Sequence, residues 1–321
     1  MTAVLIGAGV LAGLILAVLA GFAAFSRHVA RKVEAALPAR GRFTAVTGGR
    51  IHWVEAGSGP PIVFIHGLAG NLHNFTHSLT DRLTGDFRVI VIDRPGCGWS
   101  ERDGDGRARL PEQARMVAEF LEAEGIERPL VAGHSLGGAV ALTLAVLHPE
   151  RVGGLALIAP LVARVTDPPA VFRGIALENS GLRRLVALTL AAPMGIRNGP
   201  KTLAAIFAPD AAPKDFAMRA GGVLGLRPAG FYAAATDLYA APLDIEAIGA
   251  RHGEIACPAG ILYGDADAVL DAQTHLGALA AALPGAEAEI IPGAGHMLPI
   301  SHADETEAFM RRMAGRVFSG R

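Results

Sequence analysis

Apolar strand-like runs alternate with helix-periodic runs over residues 43–159 and again from residue 259 onward. That alternation predicts an α/β protein with a mostly parallel sheet covered by helices on both faces. Two further observations shape the expectation. Residues 163–250 break the alternation with short apolar helical stretches, punctuated by Pro168, Pro169, Pro193, Pro200, Pro209, Pro213 and Pro228. Residues 2–26 carry no charged side chain, so a long apolar helix should precede the α/β unit. A chain of 321 residues is long enough for one large core.

The first stretch poses a choice. Val4-Leu5-Ile6-Gly7-Ala8-Gly9-Val10-Leu11-Ala12 has the spacing of a dinucleotide-binding turn, G-x-G-x-x-A after a strand. Such a site needs a second strand ending in an acidic residue about 20 positions on. Glu34 has the spacing but sits in Ser26-Arg27-His28-Val29-Ala30-Arg31-Lys32-Val33-Glu34, which is basic and helix-like, with no apolar strand before it. A dinucleotide site is therefore rejected. As a helix, residues 2–26 would reach about 37 Å, enough to cross a hydrocarbon core of roughly 30 Å. A cleaved signal peptide would show a basic n-region and an apolar core of roughly 7–15 residues. Here only the α-amino group is positive ahead of a longer run. The expectation is a transmembrane anchor over 1–26 and a basic juxtamembrane helix over 27–40, ending near Pro38. Gly9, Gly13, Ala17 and Gly21 recur every four residues, a stripe through which two copies could pair as a homodimer. Arg27, Arg31, Lys32, Arg40 and Arg42 follow the span and favour a cytoplasmic C-terminal domain.

Beyond the anchor, strands are expected over 43–46, 51–55 and 62–65, the first two joined by Gly48-Gly49, and over 88–92. Residues 111–124 have helical periodicity, with Ala114, Val117, Phe120 and Leu121 on one face. A strand at 130–132, a helix at 136–147 and a strand at 155–159 follow. After the helical interval come a strand at 259–263, a helix near 272–283, a strand at 289–291 and a last helix near 304–317. The division is then 41–162 and 251–321 for the α/β core and 163–250 for the inserted helical segment. Net charge is −1 and only 18% of residues are charged, so nothing points to a nucleic-acid partner. Cys97 and Cys257 stand far apart without a CxxC, which suggests neither a disulfide framework nor a metal site.

The chemistry concentrates in Leu130-Val131-Ala132-Gly133-His134-Ser135-Leu136-Gly137-Gly138, a G-x-S-x-G between a strand and a helix. Small residues flank such a serine because a Cβ two positions away would clash in so tight a turn, and the tightness exposes the hydroxyl. A serine needs a base, and the base an orienting acid. Asp265 and Asp267 lie just past one later strand, and Pro292-Gly293-Ala294-Gly295-His296 follows another. Functional groups collect at such strand ends in parallel sheets.

At this point the sequence resembles the α/β-hydrolases. The likeness rests on Phe64-Ile65-His66-Gly67-Leu68, Asp93-Arg94-Pro95-Gly96-Cys97-Gly98-Trp99-Ser100, the serine turn, Gly264-x-x-Asp267 and Gly295-His296, from about residue 42 to 315. The resemblance implies an α/β-hydrolase fold with 163–250 as its lid. It also implies Ser135 as nucleophile, His296 as general base, Asp267 rather than Asp265 as orienting acid, and the N–H groups of Leu68 and Leu136 as oxyanion hole. Neither cofactor nor metal is implied, since a triad needs only water. His66 is read as holding its loop, His134 as the variable position of the turn, and His302 as lying on the last helix. Asp93 and Arg94 are read as bracing a turn, and Cys97 as a small residue near the site.

Dehalogenases and epoxide hydrolases of this fold carry aspartate where Ser135 stands, which argues against both. Serine chemistry suits carboxylic esters. Phe172, Leu177, Leu185, Leu188, Met194, Phe207, Phe216, Met218, Leu224, Phe231, Tyr232 and Tyr239 make the lid apolar, half of them as packing and half as lining of a hydrophobic cleft. Anchor and lid together suggest a membrane-tethered esterase, similar to lipases and (lyso)phospholipases. Membrane-anchored bacterial enzymes of that type are the nearest likeness, and some face the periplasm. One alternative is a carbon–carbon hydrolase of ring-cleavage products, whose acidic substrates would use Arg173, Arg183, Arg184, Arg197, Lys201, Lys214, Arg219 or Arg227. The other is a hydrolase-like ligand receptor or scaffold.

Overall fold

The computed structural model describes residues 2–165, 169–283 and 285–319. Pro168, one of the expected punctuating prolines, lies outside them. Among the described residues nine strands form one sheet: β1 (Arg42–Val46), β2 (Gly49–Ala56), β3 (Pro61–Ile65), β4 (Arg88–Ile92), β5 (Glu101–Arg102), β6 (Leu130–His134), β7 (Gly154–Ile158), β8 (Ala259–Gly264) and β9 (Glu287–Ile291). Their order is β1-β2-β4-β3-β6-β7-β8-β9, with β5 added beside β2. β2 pairs antiparallel with β1, β4 and β5, and all other pairs are parallel. This is the mostly parallel architecture that the alternation predicts. The two-residue β5 is too short to leave a sequence signal.

Side chains alternate between faces along each strand. Val63 and Ile65 of β3 join Ile90 and Ile92 on one face, where helices α2 (Leu110–Ala123) and α3 (Leu136–Leu147) pack. Ile62 and Phe64 face the other way, with Val89, Val91, Phe75 and, from the last helix, Phe309 and Met313. β3, β6, β7 and β8 are buried on both faces, which is why they read as continuous apolar runs. α3 is apolar all round and buried from Leu136 to Val146 for the same reason.

β3 and β6 are neighbours, but the chain leaves β3 towards β4 on one side and β6 towards β7 on the other. A crevice opens at the carboxyl ends of strands at such a reversal, here beside residues 66–68 and 135.

Between β7 and β8 the chain is helical, chiefly α4 (Ser180–Leu188), α5 (Ala191–Phe207) and α6 (Pro228–Ala240), before α7 (Ala272–Ala282) and α8 (Ala303–Phe318) complete the core. The N-terminal helix α1 runs unbroken from Thr2 to Ala36, so the basic segment after residue 26 continues the apolar helix. Within it, Val4–Ala36 is long and apolar enough to cross a membrane, and it is a candidate single span. Val4 to Val18 stand exposed, whereas the far end packs on the helical insertion: the Ser26 hydroxyl donates to the Thr189 carbonyl at 2.8 Å, Val33 is buried, and Arg227 donates to Glu34 at 3.0 Å.

Candidate active site

Ser135 sits between β6 and α3 with φ 55° and ψ −121°, a left-handed backbone that costs a residue with a Cβ of order 1–3 kcal/mol. The surroundings enforce it. Ser135 N–H donates to Ile158 O at 3.0 Å, and Ser135 O accepts from Gly138 and Leu161 at 2.9 and 3.0 Å. A Cβ on Gly133 would lie 2.5 Å from Gly137 O, and one on Gly137 would lie 2.0 Å from Ile65 O. The flanking glycines are therefore required by contact with backbone, as the motif implies.

His296 follows β9 in a turn. Its Nδ1 is 2.6 Å from Asp267 Oδ2. The second oxygen of Asp267 accepts from the N–H groups of Val269 and Leu270 at 2.8 and 2.9 Å. Burial raises the Asp267 carboxyl, but the adjacent His296 ring and these donors outweigh it and hold the group below the usual carboxylate range. Asp265 instead accepts from Gly293 N–H at 2.6 Å and braces the turn that carries His296.

The structure thus brings Asp267 and His296 into contact. No hydrogen bond joins Ser135 to His296 among the described residues; such bonds often tighten only when substrate binds. What holds the two loops side by side is His134. Its ring lies 4.8 Å from that of His296, and its Nε2–H donates to His296 O at 3.0 Å. Burial, with His296 close by, pushes His134 down to about 3, so it stays neutral.

His66 holds its loop. Its Nε2 accepts from Arg94 N–H at 2.9 Å, which leaves Nδ1–H to donate to Gly67 O at 2.9 Å. Burial pushes its pKa down to about 4. His302, at the start of α8, reaches Asp210 of the insertion at 3.3 Å, and Asp210 also accepts from Gly295 N–H at 3.1 Å. Asp93 accepts from Leu72 and Trp99 N–H, each at 2.8 Å, and contacts His52. Cys97 is buried, and burial pushes its thiol up to about 12. No group of three or more metal-ligating side chains occurs among the described residues.

Leu68, Ser135 and Leu136 line one cavity. Among the described residues neither Leu68 N–H nor Leu136 N–H donates a hydrogen bond. The remaining walls are mostly apolar: Leu161, Val165 and Phe172 after β7, Leu238 and Ile245 at and beyond the end of α6, and Val269 and Leu270 beside Asp267. Of the twelve apolar insertion residues singled out in the sequence, Phe172 is the one that lines this cavity. Phe207 and Phe216 pack edge-on against each other, with Met297 and Ile300, and Leu224 is buried elsewhere. Among the described residues the charged groups at the cavity are Arg164 and Asp237, neither of them among the expected site residues. Of the expected cations, Arg183 pairs with Asp105, Arg219 with Asp215 and Arg227 with Glu34.

A family model described as the alpha/beta hydrolase fold matches residues 60–303. The dihydrolipoyllysine-residue acetyltransferase component of an acetoin cleaving system from Cupriavidus necator is 40% identical over 121 residues, 37% of this chain and 32% of its own. A 2-hydroxy-6-oxo-6-phenylhexa-2,4-dienoate hydrolase from Comamonas testosteroni is 36% identical over 113 residues, 34% of this chain and 40% of its own. The chain spans between 31% and 59% of the length of the curated relatives it matches. Among solved structures, a membrane phospholipase A described as a bacterial virulence factor aligns with a TM-score of 0.67 at 25% identity, over 98% of this chain and 99% of that one.

Proposed function

The chain belongs to the alpha/beta hydrolase fold family, and from that premise we propose a serine hydrolase that cleaves carboxylic esters of apolar acyl groups. The observation that carries this reading is the position of Ser135, held in a left-handed turn at an apolar cavity whose lining includes Leu68 and Leu136, two residues whose N–H groups have no acceptor among the described residues. Ser135 Oγ attacks the ester carbonyl while His296 Nε2 takes its proton. Asp267 holds the opposite ring nitrogen and stabilises the imidazolium. The N–H groups of Leu68 and Leu136 receive the oxyanion. His296 returns the proton to the leaving alcohol, and water then hydrolyses the acyl-enzyme by the same steps.

The substrate is drawn from a bilayer in which α1 is anchored, with residues 163–250 as the lid. Support comes from α4 and α5, two helices that α1 contacts. Leu182, Leu185 and Leu188 of α4 and Met194 and Ile196 of α5 are exposed. Residues 179–209 contain no acidic side chain, while Arg184, Arg197 and Lys201 are exposed among them. An apolar, cationic face beside a span suits an anionic lipid surface. The likeness to a membrane phospholipase A over nearly the whole chain agrees. The stripe Gly9, Gly13, Ala17 and Gly21 is exposed and free to pair with a second copy.

The match to a ring-cleavage hydrolase favours a second reading, carbon–carbon bond hydrolysis. An acidic substrate would need a cation in the cavity, however. Arg94 is engaged by Asp237 at 2.8 Å, and Arg164 is more than half exposed. The test is hydrolysis of p-nitrophenyl esters of rising chain length and of phospholipid in mixed micelles, with full-length protein in mild detergent. Preference for long chains or phospholipid supports the lipid reading. Activity confined to short esters removes it, and turnover of a dienoate substrate alone favours the second.

A further inference from the structure

Asp237 belongs to α6 of the helical insertion, yet its carboxylate is fully buried in the core at the wall of the cavity that holds Ser135. Its Oδ2 lies 2.8 Å from Arg94, and its Oδ1 accepts from Arg102 at 2.5 Å. The Cys97 thiol donates weakly to the same carboxylate at 3.5 Å. Packing does not require this cluster, because a buried ion pair adds little stability over apolar residues of the same volume.

Arg94 has a second set of partners. Its Nε donates to His66 O at 2.9 Å and its Nη2 to Gly67 O at 3.1 Å, while Nη1, the nitrogen that faces Asp237, also donates to Gln113 Oε1 at 2.7 Å. Gly67 O also accepts from His66 Nδ1–H at 2.9 Å. The Gly67 carbonyl and the Leu68 N–H belong to one planar peptide unit, so fixing the first fixes the second. A carbonyl loaded by a guanidinium also polarises the N–H at the other end of the amide.

We propose that Asp237 is a positioning residue of the lid: by seating Arg94 against the His66 and Gly67 carbonyls, it aims and polarises the Leu68 N–H. The hole is then complete only when α6 is docked. This rests on the reading of Leu68 N–H as an oxyanion donor.

The test compares full-length wild type, Asp237→Asn, Asp237→Ala, Arg94→Lys and the Arg94→Lys/Asp237→Asn double variant in mild detergent. Active sites are counted with a fluorophosphonate, kcat and KM are measured on a short p-nitrophenyl ester, and inhibition by an alkyl boronic acid is recorded. Loss of an oxyanion donor costs about 10²–10³ in kcat, so its misplacement in Asp237→Asn should cost about tenfold, with KM within about twofold. Affinity for the boronic acid, whose tetrahedral adduct places an oxygen in the hole, should fall by the same factor as kcat/KM. The double variant should be no slower than Arg94→Lys alone, because Asp237 acts through Arg94. Unchanged kcat per active site with a lower melting temperature would overturn the proposal, as would a raised KM at constant kcat. If Asp237→Ala fails to fold, the isosteric Asn variant carries the test. Absence of Ser135-dependent turnover in wild type would instead sink the underlying reading, and this inference with it.

Discussion

His296 Nδ1 and Asp267 Oδ2 lie 2.6 Å apart, and the other oxygen of Asp267 is held by two backbone N–H groups. Asp265, two residues earlier, grips the Gly293 N–H instead. The two carboxylates should therefore respond differently to loss of charge. Asp267→Asn should lower kcat by about 10⁴, the cost of an imidazole in the wrong tautomer. Asp265→Asn keeps an acceptor for Gly293 and should stay near wild type. Steady-state kinetics on one ester decides, and equal losses would reject the assignment.

Backbone contact at the serine turn makes a stability prediction. Gly137→Ala forces a Cβ to within 2.0 Å of Ile65 O and should lower the melting temperature sharply or prevent folding. Gly85 has nothing within 4 Å of an added Cβ, so Gly85→Ala should be neutral. Thermal melts of the two variants make the comparison.

Two buried histidines predict a pH dependence of stability. Burial pushes His66 down to about 4 and His134 to about 3, whereas an unfolded histidine titrates near 6.5. Below about 6.5 the unfolded chain binds protons that the folded chain refuses. The stabilisation is complete above that pH and is lost as pH falls towards the folded values. Each histidine contributes a slope of about 1.4 kcal/mol per pH unit in this window. His134→Gln should flatten the dependence by about that much between pH 6 and 5, measured by urea unfolding in detergent. An unchanged slope would mean that His134 is protonated in the fold.

Cys97 lies between Gly96 and Gly98 close to the site, which invites the idea of thiol sensitivity. Its thiol is buried and pushed up to about 12, so at pH 8 only about 10⁻⁴ of it is thiolate. N-ethylmaleimide at pH 8 should leave activity intact and label Cys97 only after unfolding. Rapid inactivation, with the label mapped to Cys97, would show that the loop opens.

The exposed face of α4 and α5 predicts a separation of two activities. Leu185→Glu and Leu188→Glu place charge where apolar side chains, each 45% exposed, stand beside the cationic residues of α4 and α5. Hydrolysis of phospholipid in anionic vesicles should fall by about tenfold or more, with a short soluble ester unaffected. Parallel loss on both substrates would mean that this face supports the fold.

Much of the architecture was legible because its signals are local. Alternating apolar runs gave the strands, and Gly133, Ser135 and Gly137 mark the turn by what a Cβ would strike. The cavity wall was not legible. Periodicity identifies an apolar helix of the insertion without telling which side meets the cleft, so it does not separate Phe207 and Phe216, which pack on each other, from Phe172, which lines the cavity. Leu238, Val269 and Leu270 carry no sequence signal because they lie at or beyond the ends of regular elements, where no pattern repeats. Asp237 left one trace, a lone carboxylate in Ala233-Ala234-Ala235-Thr236-Asp237-Leu238. Its partners, Arg94 and Arg102, lie more than 130 residues away, at a contact that only the folded chain reveals. The continuity of α1 through residue 26 was hidden because the composition changes there and the helix does not.

The central claim is that Ser135 is a nucleophile, and covalent labelling tests it most directly. Full-length protein in mild detergent would be treated with a fluorophosphonate, weighed intact and mapped by peptide, beside Ser135→Ala. The account expects one adduct per chain on the peptide carrying Ser135, none in the variant, and ester turnover in the variant lower by about 10⁶. An adduct on another residue, no adduct at all, or a variant that still turns over ester would contradict it.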